Sequence, residues 1–85
     1  MEFITREVKA ELAFSSGRDE DDIEPGDSLK DDLGLGESNL KALARPFEDL
    51  ARRFNPGADI DRDECAALDT VQECVDLVAR RAGIS

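Results

Sequence analysis

The stretch DDLGLGESNL (31–40) holds the residue best placed for chemistry, Ser38. It falls at the expected start of a helix, after a glycine-containing approach. Backbone amides at a helix start point outward with partial positive charge, so a phosphoryl group bonded to that hydroxyl is electrostatically favoured. The position also suits an N-cap, a role worth about 1 kcal/mol. The local pattern therefore reads as a cap or as an acceptor of a modification.

The other chemical candidates are weaker. Gly26-Asp27-Ser28-Leu29 spells GDSL, a string associated with serine hydrolases. A serine nucleophile needs a base, and the chain contains no histidine to complete a triad. The string reads instead as a turn after Pro25 with Leu29 as a core anchor. Asp59, Asp61 and Asp63 imitate the opening of a calcium loop, but Glu64 stands where glycine is needed and Thr70 where the closing glutamate belongs. They read as acidic residues leading into a helix N-terminus, and no metal site is expected. Cys65 and Cys74 lie in expected helices with no export signal before them, and read as small buried or half-buried thiols in a reducing compartment. With histidine absent and no convincing carboxylate pair, an enzyme is not expected.

The elements that must position these groups follow from apolar spacing. Ile4, Val8 and Leu12, with charges between them, predict an amphipathic helix over the first fourteen or so residues, ended by Ser15-Ser16-Gly17. Residues 18–36 show no sustained period, yet Ile23, Leu29, Leu33 and Leu35 are spaced along them, which predicts a long loop pinned to the core. Leu40, Leu43, Phe47, Leu50 and Phe54 then keep one helical face. Pro46 interrupts that run, at a cost of about 3 kcal/mol in a helix interior. The choices are a kinked helix or a new helix opening at Pro46; the unbroken apolar phase favours the kink. Asn55-Pro56-Gly57 stops it. A short helix around 61–67 and a last one marked by Val71, Val75, Val78 and Ala82 follow, with Thr70 and Glu73 as a capping box. No period-two alternation appears, so the fold is all-α without a sheet.

Residues 1–85 read as a single small domain. A net charge of −10, from 21 acidic and 11 basic residues, argues against nucleic acid and for a protein partner. No apolar run approaches the roughly 20 residues needed to span a bilayer, so a soluble, cytoplasmic, monomeric protein without membrane contact is expected.

The order of these parts resembles the acyl carrier protein family over nearly the whole chain. A helix is followed by IEPGDSLKDDLGL, a serine opening a striped helix, and DIDRDECAALDTVQECVDLV. The most specific features are DDLGL before the serine and the tail pattern of Ile60, Leu68, Val71, Val75 and Val78. The resemblance implies a four-helix acyl-carrier-like bundle with a long first loop and a short third helix. It implies that Ser38 receives 4′-phosphopantetheine from coenzyme A through a phosphopantetheinyl transferase, and that the arm's thiol carries an acyl or aminoacyl thioester. Loading and processing enzymes of fatty acid, polyketide or other secondary-metabolite biosynthesis would be the partners. Glu37 replaces the family's usual Asp, and Asn39 stands between Ser38 and Leu40, so an unmodified carrier-like interaction module is the alternative. The family's second helix is usually acidic. Here residues 40–54 carry Lys41, Arg45, Arg52 and Arg53 against Glu48 and Asp49, and the acidity lies in 19–32, a solvated loop or a docking segment. Partner docking is expected around Ser38, at Glu37, Asn39, Lys41, Arg45 and Arg52.

Overall fold

The computed structural model describes residues 2–84. Helix α1 (Glu2–Ser16) buries Ile4, Val8 and Leu12, the stripe read from the sequence. It ends where Gly17 turns to φ 75°, a left-handed conformation cheap only for glycine, and donates its N–H to the Ala13 carbonyl at 2.9 Å.

The long loop 18–36 contains one 3₁₀ turn (Glu20–Asp22) and is held at its expected anchors: Ile23, Leu29, Leu33 and Leu35 are all buried. A second device was not legible in the apolar spacing. Leu29 N–H donates to the Asp69 carbonyl at 2.8 Å, while Val71 and Gln72 N–H donate to the Asp27 and Pro25 carbonyls at 3.1 and 2.9 Å. Ser28 and Thr70 form an isolated antiparallel bridge. The loop thus supplies acceptors to amides at the start of the last helix that have no partner within it. The described residues contain no strand beyond this bridge.

The central run is two helices, α2 (Glu37–Ala42) and α3 (Ala44–Arg52), separated only by Leu43. Leu43 keeps right-handed dihedrals, φ −71° and ψ −16°, but its N–H reaches back to Leu40 at 3.1 Å, a tighter 3₁₀-type bond. Pro46 explains the position of the break. It lacks the N–H that would bond the carbonyl four residues earlier, and its ring crowds that carbonyl. That residue is Ala42, where α2 ends. The favoured kinked helix is therefore found as an interruption, and Pro46 is the third residue of α3 rather than its first. The apolar phase survives: Leu40, Leu43, Phe47 and Leu50 are buried. Phe54 corrects the expected stripe, lying beyond α3 and 44% exposed.

Helix α4 (Arg62–Ala66) is short, and α5 (Val71–Ala82) closes at Gly83, φ 76°. Thr70 Oγ1 accepts the Glu73 N–H at 3.3 Å, the first half of the capping box. The Glu73 carboxylate returns to Asp69 N–H at 2.7 Å, one residue before the expected donor. Taking α2 and α3 as one interrupted rod, four helical rods surround a single cluster of buried apolar side chains. Phe47 is the largest fully buried member. Cys65 and Cys74 are buried and free. Burial pushes their thiols up to about 11 and about 12, aided at Cys65 by the Glu64 and Asp61 carboxylates and at Cys74 by Cys65 and then Glu73, so both stay neutral at physiological pH. No described helix is long and apolar enough to cross a membrane.

Candidate functional site

Ser38 is reached through a segment whose backbone is tied down on its core side. Asp32 and Leu33 N–H donate to the Ser28 carbonyl at 3.0 and 3.1 Å, and Leu35 N–H donates to the Leu29 carbonyl at 2.9 Å. Leu33 and Leu35 are buried on either side of Gly34, whose φ of 69° allows the turn between them. The chain then enters α2 with Leu40 fully buried and Ser38 exposed. Helix α2 lies against α4.

The cap reading of Ser38 is not what the fold uses. Gly36 is the N-cap residue, and Ser38 is the second residue of α2. Gly36 has no side chain to give, so the side-chain contact at this end comes from Asn39, whose Oδ1 accepts the Gly36 N–H at 3.1 Å. The asparagine that departs from the carrier motif thus has a structural task, the reach-back half of a capping box. The Ser38 hydroxyl makes no side-chain hydrogen bond among the described residues. Ser28 contrasts with it: its Oγ accepts the Asp31 N–H at 3.1 Å and its own N–H donates to Asp32 Oδ2 at 2.7 Å. Ser28 is committed to a turn, as its sequence context indicates.

The five expected docking residues separate into different roles. Glu37 and Lys41 pair across one helical turn at 3.4 Å beside Ser38. Arg45 is exposed and forms no ion pair among the described residues. Arg52 is a strut: its Nε donates to the Ala58 carbonyl at 2.8 Å, and a terminal nitrogen lies 3.1 Å from Glu48 and 3.8 Å from Asp59. Glu48 completes the clamp by accepting the Ile60 N–H at 3.0 Å. That hydrogen bond first, and the Arg52 charge next, hold its carboxyl below the ordinary 4.5 against an opposing desolvation effect. The pair fastens residues 58–60 onto α3.

A group whose folded pKa is depressed stabilises above its unfolded value, and that contribution is lost as pH falls through the folded one. Glu48→Gln should therefore melt at a lower temperature than the wild type at pH 7. The gap should close below pH 4.5; thermal melts at pH 7 and pH 3 measure it, and an equal gap at both would deny the carboxylate this role.

Arg62, which the charge pattern hid among Asp61, Asp63 and Glu64, lines a cleft of about 280 Å³ with Arg45 and Arg52. The acidic residues around it serve α4. Asp61 occupies its N-cap position and donates its N–H to Glu64 Oε1 at 3.1 Å, and Glu64 also pairs with Arg81. Among the described residues no group of three or more His, Cys, Asp or Glu side chains is arranged to hold a metal ion. Asp19, Glu20, Asp21, Asp22, Glu24 and Asp31 project into solvent from the long loop, whereas the Asp27 carboxylate accepts the Glu24 N–H at 2.9 Å. No protein-family model, curated protein or solved structure matches the chain.

Proposed function

We propose that this domain is an acyl-carrier-like protein, not itself an enzyme, that bears 4′-phosphopantetheine on Ser38 and hands a thioester-bound acyl or aminoacyl group between partner enzymes. The observation that carries this reading is the state of Ser38: an exposed hydroxyl with no side-chain hydrogen bond, one residue into a helix whose approach is fixed by buried Leu33 and Leu35. The arm, when bound, supplies the thiol. The protein's part is to present the hydroxyl to a phosphopantetheinyl transferase and to fix where the arm begins. In the transfer, the Ser38 oxygen bonds to phosphorus, its proton leaves to the transferase, and the pyrophosphate bond of coenzyme A breaks with release of 3′,5′-ADP.

Intact-mass analysis after incubation with coenzyme A and a broad-specificity transferase tests the reading. Wild type and Ser28→Ala should gain the arm, and Ser38→Ala should not. A gain retained in Ser38→Ala but lost in Ser28→Ala would assign the wrong hydroxyl. No gain in the wild type would favour the second reading, an unmodified interaction module. The engagement of Asn39 as a helix-end cap, at the point where the carrier motif is altered, supports that second reading.

Docking in the carrier reading is proposed at Glu37, Asn39, Lys41 and Arg45, with Arg62 adjoining Arg45 across the cleft. Arg52 is less suited as a probe because its reversal would also release the clamp on residues 58–60. Exposed charges chiefly set association rate. Arg45→Glu should therefore speed modification by a transferase adapted to acidic carrier helices, with the gain shrinking as salt rises. Equal rates at low salt would place docking elsewhere, with the acidic loop 19–32 the next segment to vary.

A further inference from the structure

Three of the chain's four phenylalanines stand on its surface. Phe3 and Phe54 are each 44% exposed and meet edge to face at 5.9 Å, and Phe14 is 88% exposed on α1. In a core supplied with aliphatic residues, aromatic side chains left outside in one connected region mark an interaction surface more than a packing remainder. Helical spacing makes the region connected: positions 3, 7, 10 and 14 follow one face of α1, beside the buried stripe of Ile4, Val8 and Leu12. This face borders α3 along a cleft of about 210 Å³ with Ala10, Pro46 and Leu50 as apolar lining and Glu7, Glu11 and Asp49 as charged lining. Arg53 is the opposing cation, and it is already engaged, 3.7 Å from Glu7 and 5.9 Å from the centre of the Phe3 ring.

We propose that this face of α1, with its groove against α3, is a docking surface for a basic amphipathic helix of a protein partner. From Phe3 to Phe14 the surface runs about 16 Å at 1.5 Å per residue, the length of three helical turns. An apolar stripe on the visiting helix would cover Phe3, Ala10 and Phe14, and lysines or arginines along its edges would meet Glu11 and Asp49, which form no ion pair among the described residues, and would compete with Arg53 for Glu7. Charge selects this occupant over two others. A second copy would bring the same carboxylates against these, and an anionic lipid surface would be repelled by them and by the net charge of −10. The groove does not include Ser38, so this inference stands whether or not Ser38 is modified.

The test uses the whole domain and a synthetic 14-residue helix with leucines at a spacing of four, three and four and lysines elsewhere, beside a twin with glutamate for every lysine. Amide shifts should change at Phe3, Ala10, Phe14, Asp49, Leu50 and Arg53 with the lysine peptide and not with its twin. Phe14→Ala, which alters neither charge nor core, should weaken binding roughly tenfold, as loss of an aromatic anchor does. Shifts centred on 19–32, or an unchanged affinity in Phe14→Ala, would overturn the proposal. So would a dimer by sedimentation, or binding to phosphatidylserine vesicles, that Phe14→Ala abolishes.

Discussion

Phe47→Ala is expected to bring this domain close to unfolding, with a loss of about 3–5 kcal/mol, the usual range for emptying a buried phenylalanine site. Phe47 has no exposed surface and is the only phenylalanine in the core. It sits on α3, which packs on both α1 and α5, so the space it vacates faces several elements at once. At about 0.05–0.15 kcal/mol per residue, 85 residues supply roughly 4–13 kcal/mol in total. One substitution therefore removes a large share of it. Urea unfolding followed by circular dichroism measures the loss, with Phe14→Ala as the matched control. That variant removes the same atoms from an 88% exposed position and should leave the midpoint nearly unchanged. Similar midpoints for the two would mean that Phe47 does not hold the helices together.

Leu29→Ala is expected to cost about 2–5 kcal/mol although Leu29 belongs to no helix. Its side chain is fully buried, its N–H is bonded to Asp69, and its carbonyl receives the Leu35 N–H. Emptying the site should loosen the loop at both ends, at the bridge to Thr70 and at the approach to Ser38. Native-state amide exchange should accelerate at Leu29, Leu35 and Val71 before it does in the centre of α1 or α5. A cost below about 1 kcal/mol, too small for lost burial of a full leucine side chain, would show that the backbone bonds alone hold the segment. The same measurement bears on Ser38, because a loosened approach would present its hydroxyl from a range of positions rather than one.

Apolar spacing located the α-helical regions and all four anchors of the long loop, but not the 3₁₀ turn at Glu20–Asp22, which buries no residue. Helical period is a local property: Ile4, Val8 and Leu12 must share a face once α1 forms, whatever lies opposite. The end of α1 at Gly17 was legible for a similar reason, since glycine tolerates the left-handed turn found there in any surroundings. Pro46 pointed to a kink in one continuous helix; the fold instead interrupts it at Leu43, next to the Ala42 carbonyl that the ring would crowd.

Tertiary structure decided the roles of side chains whose alternatives are close in energy. By type and local pattern Ser38 suited a cap better than an acceptor. It lost the capping place because Leu33 and Leu35, seated in the core, deliver Gly36 to the N-cap position and leave Asn39 to reach back to it. Arg45 and Arg52 are the same residue on the same face of α3, yet Arg52 bonds the returning loop at Ala58 and pairs with Glu48 and Asp59, whereas Arg45 forms no ion pair among the described residues. Phe54 kept the phase of the core stripe, but α3 ended before it, and the ring turned to Phe3. In each case the sequence limited what a residue was able to do; which of those roles it took depended on partners distant along the chain, brought near only when the apolar stripes packed together.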